Sequence, residues 1–172
     1  PDDVKTLSDV ANTKIDEVFI GSCMTNIGHF RAAAQLLKNK TELNTELWIA
    51  PPTRMDEKQL KKEGVYDTFT AITDHTEMPG CSLCMGNQAR VKTNATVVST
   101  STRNFPNRLG DEANVYLSSA EVAAISAKLG YIPTAQEYLS EMKDIEPMEA
   151  QIYQYLNFDQ IAEYQKSAAS VP

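Results

Sequence analysis

Residues 15–23 read IDEVFIGSC. The run Ile15-Asp16-Glu17-Val18-Phe19-Ile20 is short, β-branched and aromatic, and Gly21 stops it. That is the pattern of a buried strand. Asn26-Ile27-Gly28 then opens a helical stretch over 29–40, where Phe30, Ala33, Ala34 and Leu37 recur near helical spacing. TELWIA at 45–50 is a second strand, closed by Pro51-Pro52. Residues 55–63 are charged and helix-prone, with Leu60 on the inner side, and 65–72 read as helix or short strand with no decisive period. TVVST at 96–100 and VYL at 115–117 supply a third and a fourth strand. Ser119 caps a helix over 120–129, with Glu121 in its first turn and Gly130 at its end. Thr134 and Glu137 form a capping box for another helix. Residues 148–158 fit an edge strand or a helix equally, and 159–168 resemble a weak terminal helix. Strands alternating with helices at this spacing predict an α/β fold, a three-layer α/β/α arrangement around a mainly parallel, doubly wound sheet. Ligands of such sheets gather at the carboxyl ends of the strands. Cys23 directly follows the first strand, and Arg103 and Arg108 follow the third.

The chain has 172 residues, 42% hydrophobic and 23% charged, enough for one sizeable globular domain. The expected organisation is a polar, poorly packed lead-in at 1–14, the α/β domain at 15–158, and a C-terminal helix and tail at 159–172. A net charge of −7 argues against a general nucleic-acid surface. No apolar run approaches the ~20 residues of a membrane helix. PDDVKTLSDV has neither the basic flank nor the apolar core of a secretory signal. The start at Pro1, without an initiator methionine, points to a processed chain or a piece of a longer one. Three cysteines without an export signal suit a reducing, cytoplasmic compartment, where clustered cysteines more often serve metal or redox chemistry than structural disulfides.

Those cysteines carry the chemistry. Cys81-Ser82-Leu83-Cys84 sets two sulfurs on one turn, and Cys23 lies far upstream in IGSCMTN. The residues alone leave several readings open. The pair fits two buried thiols or a thioredoxin-like redox pair, which would leave Cys23 without a role. It also fits a Cys3His zinc site recruiting His29 or His75. The last reading is an iron–sulfur cluster, in which three cysteines leave one iron with an open position for a substrate hydroxyl and carboxylate. STSTRNFPNR at 99–108 puts two arginines five apart among hydroxyls and amides. It is either a solvated surface loop or a carboxylate grip, since guanidinium forks bind carboxylates through paired hydrogen bonds. Thr25 and Asn26 can orient a ligand from behind the cysteines, or Asn26 can simply cap the following helix.

Taken together, GSCMTN, PGCSLCMGNQ and STSTRNFPNR resemble the aconitate hydratases. Met24, GHFRAAAQLL and ANVYLSSAEVAAISAKLGYIPT are similar to their bacterial B branch, so the likeness covers about 15 to about 158. The resemblance implies a [4Fe–4S] cluster held by Cys23, Cys81 and Cys84, substrate carboxylates held by Arg103 and Arg108, and Asn26 beside the cluster. It implies a lyase of the tricarboxylic acid cycle that isomerises citrate to isocitrate through cis-aconitate, with 2-methylisocitrate as a further substrate in some bacteria. No net redox change occurs. Family members are several times longer, and their serine base lies in a swivelling domain, so no serine here is assigned that role. The expectation is a monomeric, catalytically inactive piece whose exposed thiols lose the cluster and oxidise readily. A disulfide from Cys23 to Cys81 or Cys84 requires their Cα atoms within ~7 Å. Cluster-free relatives that act as regulators of mRNA suggest an RNA-binding role for the parent protein, although this chain carries no basic or aromatic-rich surface for it.

Overall fold

The computed structural model describes residues 3–81, 83–86, 89–154 and 162. In chain order its elements are α1 (Leu7–Val10), β1 (Glu17–Gly21), α2 (Ile27–Leu37), β2 (Glu46–Ala50), α3 (Arg54–Lys62), α4 (Val65–Thr70) and β3 (His75–Thr76). There follow β4 (Thr96–Ser99), β5 (Asn114–Leu117), α5 (Ala120–Leu129), α6 (Ala135–Met142), a 3-10 turn at Glu146–Met148 and α7 (Glu149–Ile152). The strands form one parallel sheet in the order β3-β2-β1-β4-β5. β1 is central and all five of its residues are buried. Its Val18-Phe19-Ile20 run is what a strand covered on both faces needs.

Right-handed crossovers decide what covers each face. The chain moves from β1 through β2 to β3 by way of α2, α3 and α4, which places those helices on one side. It then doubles back beyond β1 to β4 and β5, so the crossovers at 77–95 and 100–113 close the other side. The cores follow this division. Val18, Ile20, Leu47, Ile49 and Val98 pack with the buried faces of α2, α4 and α5. Phe19, Trp48, Ala50 and Val97 pack instead with Leu83, Cys84, Val91, Ala95 and Leu109, all from the crossovers. The parallel, doubly wound α/β architecture expected from the sequence is thus observed. Among the described residues, the layer over the second face is made of crossover segments. The cysteine-bearing loop is therefore part of the core.

Local signals account for most boundaries. Ser119 Oγ accepts from Val122 N at 3.3 Å to start α5, and Gly130 ends it at φ +84°. Thr134 and Glu137 make the expected capping box of α6. α2 begins two residues earlier than its apolar period suggests, because Asn26 caps it. The ambiguous stretch 65–72 is helical, with Tyr66 and Phe69 buried. His75 and Thr76 form an edge strand too short to leave a hydrophobic run. Inside the supposed lead-in, a Thr6/Asp9 capping box forms α1, and Leu7 and Val10 rest against the main core. Of 148–158, Glu149–Ile152 is helical. Residues 155–158 and nearly all of the expected terminal helix lie outside the described residues.

Candidate functional site

β1 and β4 are neighbours whose chains leave the sheet in opposite directions, and the crevice at their carboxyl ends is where an open α/β sheet binds its ligand. Cys23 stands there, exposed, on a turn closed by Thr25 N donating to Ser22 O at 3.1 Å. Ser22, buried beneath it, has φ +139°, a region that side chains other than glycine's rarely enter. Thr25 is buried and its hydroxyl donates inward to Gly21 O at 2.9 Å. Asn26 Oδ1 accepts from Gly28 N at 2.7 Å, the capping role. Neither side chain has a hydrogen bond to Cys23 among these contacts; both bond to neighbouring groups of the turn and the helix that follows it.

The second cysteine segment hangs from the end of β2. Glu77 N donates to Ile49 O at 2.7 Å and Gly80 N to Pro51 O at 2.8 Å. A single helical turn follows, with Met85 N donating to Cys81 O at 3.0 Å and Gly86 N to Leu83 O at 2.9 Å. The turn drives Leu83 and Cys84 into the second core and leaves Cys81 exposed at the rim. The arginine loop locks onto it. Arg108 Nε donates to Cys84 O at 2.6 Å, its Nη1 donates to Arg103 O, and its guanidinium lies 5.5 Å from the Phe105 ring. A Cβ on Gly86 would meet Arg108 O at 2.6 Å, so the two loops touch backbone to backbone.

The electrostatics tie these parts together. A hydrogen bond with Cys81 raises the Cys23 thiol, helped by desolvation and opposed in part by the charge of Arg103. Burial pushes Cys84 up to about 11, against the pull of Arg108, with Cys81 and Cys23 adding to the rise. Cys84 thus feels both other thiols and Cys23 feels Cys81, with Arg103 near Cys23 and Arg108 near Cys84. Thiols raised in this way, as Cys23 and Cys84 are, are groups a bound cation would deprotonate. Among the described residues, no three His, Cys, Asp or Glu side chains converge tightly enough to hold one metal ion. His75 is stacked on Trp48 with ring centroids 4.0 Å apart, and His29 lies within α2.

Two contacts have no signature in the sequence: the Thr100 hydroxyl, which ties the end of β4 to Gly21, and the hydrogen bonds of Arg108 to the carbonyls of Cys84 and Arg103. A threonine one residue past a strand and an arginine in a polar loop are ordinary in sequence, and only the fold shows what they touch.

The chain belongs to the aconitase family. The family described as Aconitase family (aconitate hydratase) matches residues 3–130. The chain is 62% identical over 171 residues to aconitate hydratase B of Pseudomonas aeruginosa, covering 99% of this chain and 20% of that protein. It is 58% identical over 172 residues to aconitate hydratase B of Escherichia coli, with 99% and 20% covered. A methanogen homoaconitase large subunit from Methanocaldococcus jannaschii is 38% identical over 136 residues, covering 77% of this chain and 32% of the subunit. The chain spans about a fifth of the length of the aconitate hydratase B relatives it matches. No helix of the described residues is long and apolar enough to cross a membrane.

Proposed function

We propose that these 172 residues are the cluster-ligating part of an aconitate hydratase B, with Cys23, Cys81 and Cys84 as ligands of a [4Fe–4S] cluster. The observation that supports this is that two separate crossovers bring Cys23 within hydrogen-bonding reach of Cys81, with Cys84 close enough to feel both. A single ion would draw its sulfurs to about 2.3 Å from one centre. A cluster takes each thiolate on a different iron, which suits sulfurs that are neighbours without converging on one point. When bound, such a cluster supplies a Lewis-acidic iron that polarises a substrate hydroxyl.

The chain's own residues do the rest. Cys84 brings its sulfur from the apolar side, and Cys23 and Cys81 from the solvent rim. Arg103, exposed beside Cys23, offers a carboxylate its guanidinium fork. Arg108, the second proposed grip for substrate carboxylates, also fixes the carbonyls of Cys84 and Arg103 and places a positive charge by Cys84. Thr25 and Asn26 hold the Cys23 turn. The substrates of the parent protein are citrate, isocitrate and cis-aconitate, with 2-methylisocitrate in the same class. Its base comes from outside this chain. A cytoplasmic parent, a role in the tricarboxylic acid cycle, a monomeric 172-residue piece and mRNA binding by a cluster-free parent complete the proposal, as does a 15–158 domain flanked by 1–14 and 159–172. The test is turnover. The full-length protein containing this chain should interconvert citrate and isocitrate, and the 172-residue chain with a full complement of cluster should not. Turnover by the short chain would overturn the divided site, and no turnover by a cluster-loaded full-length protein would overturn the substrate assignment.

A further inference from the structure

Three hydroxyls beneath the Cys23 turn are left without a part in binding or proton transfer. Ser22 and Thr25 are 1% and 3% exposed, and Thr100 joins them from the far side of the crevice. The backbone ladder between β1 and the β4 chain reaches Thr100 N, which donates to Phe19 O at 3.0 Å. At the next rung a side chain replaces the backbone. Gly21 N donates to Thr100 Oγ1 at 2.8 Å, and Thr100 Oγ1 donates to Gly21 O at 2.8 Å.

One arrangement of protons satisfies Gly21 O twice and leaves the 3.2 Å contact between Thr25 Oγ1 and Thr100 Oγ1 without one. Each hydroxyl has one to give. Thr100 and Thr25 both give theirs to Gly21 O, the latter at 2.9 Å. Ser22 gives its own to Thr25 Oγ1 at 3.0 Å and accepts from Met24 N at 3.3 Å. Gly21 O is thus held by two donors, and Ser22, in a backbone conformation suited to glycine, is held by its own side chain. Cys23 is the exposed apex of a turn whose whole base is fixed. A glycine at 22 would adopt the same φ without strain, but would leave Met24 N and Thr25 without that partner.

We propose that Thr100 and Ser22 are positioning residues for Cys23, clamping the turn so that its thiol is held against Cys81. Its value to function rests on the reading of Cys23 as a cluster ligand, so the test includes a measurement that needs no cluster. Dibromobimane fluoresces once two thiols have each displaced a bromide. Its bridging rate is to be measured on the reduced, cluster-free 172-residue chain, beside the rate of cluster loss in air and the urea midpoint. Thr100→Val should slow bridging and speed cluster loss, each by about tenfold, the scale of outer-shell changes at metal sites. Thr100→Ser should restore both to within about twofold. Ser22→Gly, which removes strain together with the hydroxyl, should slow bridging while remaining folded. Arg31→Met, which breaks a remote ion pair, should lower the urea midpoint and leave both rates unchanged. If Thr100→Val lowers only the midpoint, or changes the rates no more than Arg31→Met does, the clamp is merely structural and the proposal fails. If the wild-type chain takes up no cluster even on anaerobic reconstitution but Thr100→Val still slows bridging, positioning stands and the cluster reading falls.

Discussion

Replacing Gly86 by alanine should separate the cysteine loop from the arginine loop. Gly86 has φ +62°, and an added Cβ would lie 2.6 Å from Arg108 O, a backbone atom that cannot rotate aside. A left-handed conformation costs an L-residue about 1–2 kcal/mol, and overpacking a fixed neighbour typically costs a further ~1–3 kcal/mol. Gly64 is the control. It has φ +73°, yet its Cβ would find nothing nearer than Asp67 Oδ2 at 3.9 Å. Gly64→Ala should therefore cost only the backbone part, about 1–2 kcal/mol, and Gly86→Ala about 2–5 kcal/mol. Urea unfolding of the reduced chain reads both, as a shift in midpoint at unchanged slope. Gly86→Ala should also expose Cys84 to alkylation before global unfolding, and Gly64→Ala should not. A Gly86→Ala chain as stable as Gly64→Ala, with Cys84 still protected, would refute the close backbone contact.

Glu17 is 1% exposed and accepts from Trp48 Nε1 and Lys92 N, each at 2.7 Å. Glu17→Gln turns an amide NH2 toward one of those donors, and urea titration should show a loss of ~1–3 kcal/mol. Arg31, through bidentate hydrogen bonds, holds the Glu63 carboxyl below its ordinary value of 4.5. The folded value is the depressed one, so this stabilisation is present above about pH 4.5 and is lost as pH falls through the folded value. The difference in urea midpoint between wild type and Glu63→Gln should shrink from about pH 6 to about pH 3; a constant difference would contradict the pair. Burial pushes Cys84 to about 11, which leaves about a thousandth of it as thiolate at pH 8. Iodoacetamide followed by mass spectrometry should therefore find Cys23 and Cys81 labelled well before Cys84 in the folded, cluster-free chain.

The sequence was most legible where local chemistry decides structure. The 15–20 run, the Ser119 cap and the Thr134/Glu137 box each specify their element within a few residues. β3 escaped because two residues gain strand geometry only by pairing with Trp48 and Ile49. α1 escaped because Leu7 and Val10 have no value until a core exists for them to rest on. The cysteines and arginines stood out as residue types, but their grouping is non-local. Cys84 reaches the sheet through a crossover whose side is set by handedness, and Arg108 proves to be a strut as well as a charge. Ser22 carries no mark of its φ in sequence, where a glycine would have drawn attention to the turn.

The central claim is that three thiolates share one cluster. Iron and acid-labile sulfide should be counted per chain after anaerobic reconstitution of wild type, Cys23→Ser, Cys81→Ser and Cys84→Ser. About four of each per wild-type chain, and loss of the cluster in every single variant, is the predicted result. One tightly held zinc in place of iron, or a Cys23→Ser chain that keeps its full iron and sulfide, would contradict it.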